Sequence, residues 1–168
     1  KEAWFGIVEK ELGVTIKEDN TSGIADVRTQ VASGKPTWDL TTQGAYTCAL
    51  LEKEGKLEKF DAATIKAIAE IPAALGRSEY CAPQIVYSVA IGWRDKAYPG
   101  KEPPGWSAFW DVKNFPGQRS LRKHPIYALE QALIADGVPM NKLYPIDVDR
   151  AFKKLEQLKP HVLVWWNS

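Results

Sequence analysis

The sequence predicts an α/β fold, and three observations predict it. Segments with helical spacing alternate with short β-branched segments through the first half of the chain. A long apolar run at residues 84–93 is followed by a stretch dense in proline and glycine. Two further helical segments then stand between two short strand-like stretches. Alternation of this kind implies a parallel sheet with helices on both faces.

The elements follow in order. Residues 1–12 place Trp4, Ile7, Val8 and Leu12 at helical spacing, and Gly13 supplies a stop. "VTIKED" (14–19) alternates and is β-branched, which reads as a strand. "TSGIADVRTQVASG" predicts a second helix starting near Ser22, with Ile24, Val27 and Val31 on one face and Gly34 as its end. "WDLTTQ" (38–43) reads as a short strand turning through "GAY" into a third helix, "TCALLEKEGKLEKF", broken at Gly55. A looser helical stretch runs from Asp61 to about Ala74. "QIVYSVAIGW" (84–93) is the longest apolar strand candidate, and "RDKAYPGKEPPG" beyond it is the clearest boundary. "WSAFWDV" is a short helix with Ser107 as its expected cap. "FPG" turns the chain into a brief strand, "QRSLR". "YALEQALIADG" is a helix with Leu129, Ala132 and Leu133 inward. "DVDRAFKKLEQLKP" is another, opened by acids and closed by proline. "HVLVWW" is the last strand.

Composition excludes several function classes. The 168 residues suffice for one ordinary domain or two small lobes, with 45% hydrophobic and 26% charged residues and a net charge of +1. Near-neutrality argues against a dedicated nucleic-acid binder. No apolar run is long enough to span a membrane. The cations around "QRSLRK" suggest a phosphate site at first sight. Strand alternation sends Arg119 and Leu121 one way and Ser120 and Arg122 the other, so they form no single patch. No metal cluster, P-loop, GxSxG or GxGxxG appears, and no cofactor is expected.

The candidate ligand contacts lie where predicted strands end and helices begin, the usual ligand position in open α/β sheets. In the first half these are Gln43, Gly44 and Tyr46. Gly44 would allow close backbone approach, and Tyr46 reads equally well as packing on its own helix. In the second half they are His124 and Tyr127. His161, after Pro160, reads as a surface residue. Of seven tryptophans, Trp38, Trp106 and Trp110 read as core. Trp165 and Trp166 point to opposite sides of a strand, one toward the core and one free to line a cleft. Cys48 and Cys81 are too far apart for a CxxC motif, and from the residues alone free thiols and a disulfide stay equally open.

Several blocks in order resemble a known family: "WFGIVEKELGVTI", "VASGKPTWDL", "LLEKEGKLEKFD", "SAFWDVKNFPGQRSLRK", "LEQALIADGV", "LYPIDVDRAFKKLEQLKP" and "WW". They are similar to the extracellular solute-binding proteins of bacterial ABC importers, in the spermidine/putrescine-type branch. The resemblance implies a two-lobed type II periplasmic-binding fold that closes on a ligand. Residues 1–92 would form lobe one with its crossover strand, and residues 93–168 the first part of lobe two. It implies a periplasmic location, a membrane permease as partner, and a fragment of a protein about twice as long, truncated at both ends, that pairs with its remainder or with another copy. An exported protein also implies a Cys48–Cys81 disulfide. Tyr46 matches an aromatic cleft position of the family. His124 and Tyr127 stand where the polyamine binders carry acids, which favours a smaller amine or an amino acid such as a γ-amino acid. The rival readings are an α/β enzyme using His124 as a base and a surface protein without a cleft.

Overall fold

The computed structural model describes residues 4–20 and 23–167. The chain divides into two compact units, Lys1–Val86 and Tyr87–Ser168.

The first unit is helical. Helix α1 (Phe5–Leu12) ends on Gly13, whose left-handed φ of 65° lets its N–H return to the Glu9 carbonyl. Helix α2 (Ile24–Ala32) is opened by the Asp26 carboxylate, which accepts the Gly23 N–H at 3.0 Å. The cap expected at Ser22 lies outside the described residues. Helix α3 (Ala45–Lys53) starts after Gly44. It does not resume beyond Gly55, whose φ of 63° turns the chain away. Helix α4 (Ala62–Ile68) is capped by Asp61, which accepts the Thr64 N–H at 2.7 Å. Val27, Thr47 and Leu51 are buried. Arg28 grips Glu54 through two hydrogen bonds of 2.9 and 2.6 Å, joining the surfaces of α2 and α3. The Cys48–Cys81 disulfide ties α3 to the segment leading out of the unit, with Cα atoms 6.6 Å apart.

Three strand expectations fail. Residues 14–19, 38–43 and 84–93 take no place in a ladder among the described residues. Apolar alternation makes a segment suited to a pleated surface, but only a hydrogen-bonded neighbour makes it a strand. These segments have none there, and Ile85 and Val86 stand 72% and 70% exposed.

The second unit holds the sheet. Helix α5 (Trp106–Trp110) follows Gly105, and Ser107 does not cap it. Strand β1 (Arg119–Arg122) is succeeded by helices α6 (Pro125–Ala135) and α7 (Val148–Leu158) and then by strand β2 (Val162–Trp166). The strands pair parallel, with Ser120 opposite Val164 and Arg122 opposite Trp166. A parallel pair needs a long crossover, which α6 and α7 supply. Their apolar faces make the core, Ala132, Leu133, Leu143 and Ala151, with Trp110, Leu129 and Leu155 packed against it. Asp147 caps α7 by accepting the Arg150 N–H at 3.0 Å.

The alternation expected along β1 is present: Arg119 and Leu121 are buried, and Ser120 and Arg122 are not. Arg119 is 5% exposed. Its guanidinium donates to the carbonyls of Phe109 (2.9 Å), Phe115 (2.6 Å) and Gly117 (2.6 Å). The Phe-Pro-Gly corner is therefore built around an internal cation, which gathers carbonyls that the turn leaves unpaired.

Candidate functional site

A concavity of about 340 Å³ lies within the second unit. Its walls are largely aromatic: Tyr87, Trp106, Phe109, Tyr127 and Trp166. Strand β1 contributes Ser120 and Arg122, α6 contributes Gln131, and residues 89–92 supply aliphatic surface. None of the lining residues is a carboxylate. The chemistry on offer is an apolar slot with a guanidinium, an amide and two phenols.

The entry to α6 shapes one wall. Pro125 occupies the first turn, and the His124 ring closes it, Nδ1 accepting the Ile126 N–H at 3.2 Å. Ile126 stays extended at ψ 131°, and Tyr127 then takes a left-handed φ of 72° before the helix proper begins. A bulky residue rarely adopts that conformation, and such outliers concentrate at ligand sites. The Tyr127 hydroxyl is hydrogen-bonded to that of Tyr87, and the two rings meet edge to face at 6.3 Å. That bond, helped by burial, pushes the Tyr127 phenol up to about 12. The Tyr127 phenol therefore stays neutral near pH 7 and acts as a hydrogen-bonding group.

Gln131 is the feature the sequence reading missed. It is 7% exposed and lines the concavity, yet its amide makes no hydrogen bond with any described residue. The available signal was its spacing, three residues after Ala128 and four after Tyr127, which puts a polar side chain on the inward face of α6.

The other sequence candidates are placed as follows. Tyr127 lines the concavity and His124 does not, its ring being given to the helix cap. Gln43, Gly44 and Tyr46 lie in the first unit at the start of α3, Tyr46 exposed and Gln43 half-buried. Gln43 donates to the Thr41 hydroxyl at 2.8 Å. A Cβ at Gly44 would meet the Tyr46 ring at 3.7 Å, ordinary contact, so packing does not demand glycine there. His161 is exposed. The tryptophans correct the sequence reading. Trp165 and Trp166 are 40% and 43% exposed, so neither is core, and Trp166 lines the concavity. Of Trp38, Trp106 and Trp110, none is fully buried, and Trp110 is the one on the core, its indole N–H bound to the Lys154 carbonyl at 2.9 Å. Trp38 instead donates to Asp19 at 3.1 Å.

The family model for bacterial extracellular solute-binding proteins matches residues 5–168. The chain belongs to that family. Among solute-binding relatives it is 34% identical to the gamma-aminobutyric acid-binding protein of Pseudomonas aeruginosa, over all of this chain and 49% of that one. It is 24% identical to spermidine/putrescine-binding periplasmic protein 1 of Haemophilus influenzae, over 92% of this chain and 45% of that one. Among solved structures, an ABC transporter substrate-binding protein from Bradyrhizobium japonicum superposes with a TM-score of 0.82 at 44% identity, covering 97% of this chain and 51% of that one. The chain thus takes the α/β fold of the solute-binding proteins, and it spans about half the length of the curated relatives it matches. No described helix is long and apolar enough to cross a membrane.

Proposed function

We propose that this protein binds a small polar solute carrying an amine, and hands it to the membrane permease of an ABC importer without altering it. The solute would be an amino acid such as γ-aminobutyrate, a polyamine or a related amine, and the protein would work in the periplasm. The observation that carries this reading is the aromatic concavity of the second unit, about 340 Å³ with a few convergent polar groups, which is the usual make-up of a small-ligand site. The relatives named for γ-aminobutyric acid and for spermidine and putrescine support the class of solute. Tyr127 is the wall residue we assign to ligand contact. His124 sets the helix entry behind it. Gln43, Gly44 and Tyr46 are the first unit's candidates.

The enzyme reading is weaker because His124, the base it would use, gives Nδ1 to the Ile126 N–H. The exposed segment around Ile85 and Val86, together with the open edges of the β1–β2 pair, is where the rest of the protein or a second copy would add strands. Isothermal titration against a panel of small amines and amino acids tests the function. Saturable 1:1 binding is expected, with the solute recovered chemically unchanged. Turnover of any panel member, or binding by none, would overturn the proposal.

A further inference from the structure

We infer that Tyr87 is a positioning residue: its hydroxyl holds Tyr127 in the left-handed conformation, and without that bond the peptide between Ile126 and Tyr127 flips and α6 becomes regular from Pro125. The inference rests on the solute-binding reading above and adds to it a two-position element in the wall of the concavity.

The dihedral angles locate the element. Ile126 has φ −64° and Tyr127 has ψ −37°, both ordinary for a helix. The two angles that depart are ψ 131° at Ile126 and φ 72° at Tyr127. Those two flank a single peptide plane. Both ends of that plane are pinned. Before it, Pro125 fixes its own φ, and His124 Nδ1 accepts the Ile126 N–H at 3.2 Å. After it, Ala128, Gln131 and Ala132 are buried along α6. Turning the plane through about half a rotation brings ψ of Ile126 to the helical value but leaves φ of Tyr127 short of it. Completing the helix needs a further rotation at Tyr127, which carries its ring away from the place where it meets Tyr87. The Tyr87 bond and the left-handed backbone are therefore linked.

A left-handed tyrosine is strained, and such a residue persists only where its surroundings hold it. Tyr127 is held by the hydroxyl bond to Tyr87 and by the edge-to-face ring pair at 6.3 Å. The strain and the worth of one hydrogen bond are of the same order, so removing the bond tips the balance toward the regular helix. Both rings line the concavity in the held arrangement. A solute packed between them finds its wall complete only there, and its apparent affinity falls with the fraction of molecules in that state.

The test compares the wild type with Tyr87→Phe, Tyr127→Phe and the double variant. Tyr87 is 62% exposed, so its variant loses a hydroxyl and opens no cavity. Nuclear Overhauser contacts read the backbone directly. In the wild type the Ile126 Hα should lie close to the Tyr127 amide proton, as an extended ψ requires. In Tyr87→Phe that contact should weaken, and the contact between the amide protons of Ile126 and Tyr127 that marks a helix should appear. Calorimetry with γ-aminobutyrate as the probe reads the consequence for binding. Each single variant should bind about fivefold more weakly, and the double variant about fivefold rather than about 25-fold, because all three lose the same bond. A wild-type contact pattern in Tyr87→Phe would overturn the positioning role. So would losses that multiply in the double variant, since each hydroxyl would then meet the solute separately. A wild type that does not bind the probe would count against the solute-binding reading alone, and the backbone contacts would still decide the positioning role.

Discussion

Replacing Arg119 with methionine should unfold the second unit far more readily than any loss of surface charge could. Methionine keeps much of the unbranched stem and removes the guanidinium. Three carbonyls, those of Phe109, Phe115 and Gly117, then lose their donor. A hydrogen bond to a charged group contributes about 1.5–3 kcal/mol, so simple addition would give about 4.5–9 kcal/mol. Contacts sharing one group do not add, and carbonyls at a turn regain some water, which brings the expected loss to about 3–4 kcal/mol. Because Arg119 is 5% exposed, solvent screening takes little from this figure. For a unit of this size that is a fall in melting temperature of roughly 15 °C. Urea unfolding followed by circular dichroism is the assay, with a lowered midpoint and an unchanged slope. Arg119→Lys should fall between the two, since one ammonium cannot reach three divergent acceptors. A methionine variant within about 0.5 kcal/mol of the wild type, the range of ordinary surface substitutions, would show that the guanidinium does not hold the corner.

Other expectations are simpler to check. Thiol titration of the denatured, unreduced protein should find no free thiol, and reduction should cost about 4 kcal/mol of stability for a loop of this length; two free thiols would refute the bridge. In a spectroscopic titration Tyr127 should ionise near pH 12, and Tyr87→Phe should move it back toward 10. Because its folded-state value is raised, the stabilisation linked to that proton is complete below about pH 10 and disappears as pH rises through about 12. Asp136 is held below the usual carboxylate range by hydrogen bonds to Arg150 and Lys154, so its contribution is present at neutral pH and lost as pH falls through its depressed value; Asp136→Asn should flatten that acid limb. Tyr127→Ala and Tyr46→Ala should each weaken solute binding with little change in melting temperature, and an unaffected Tyr46→Ala would remove the first unit's candidate.

How much of this was legible in the sequence depended on where each element finds its hydrogen bonds. The helices satisfy their own backbones, so local signals located them: Gly13 as a left-handed stop, Asp147 as a cap, and the apolar spacing of Leu129, Ala132 and Leu133. The strands depend on partners that no local pattern reveals. β1 and β2 have each other, and the facing of Arg119 and Leu121 was readable from alternation alone. Residues 84–93 have a stronger β pattern than either, yet no ladder partner among the described residues. The site was legible in part for the same reason. Tyr127 was found from its place after a strand, but its left-handed backbone and its bond to Tyr87, forty residues away, are tertiary facts. Gln131 carries no such local mark, and its place on the wall shows only once the wall around it is built.

The most direct measurement of the central claim is a crystal structure of the protein with γ-aminobutyrate. The account predicts the ligand among Tyr87, Trp106, Tyr127 and Trp166. A solute held elsewhere, with the aromatic walls untouched, would contradict it.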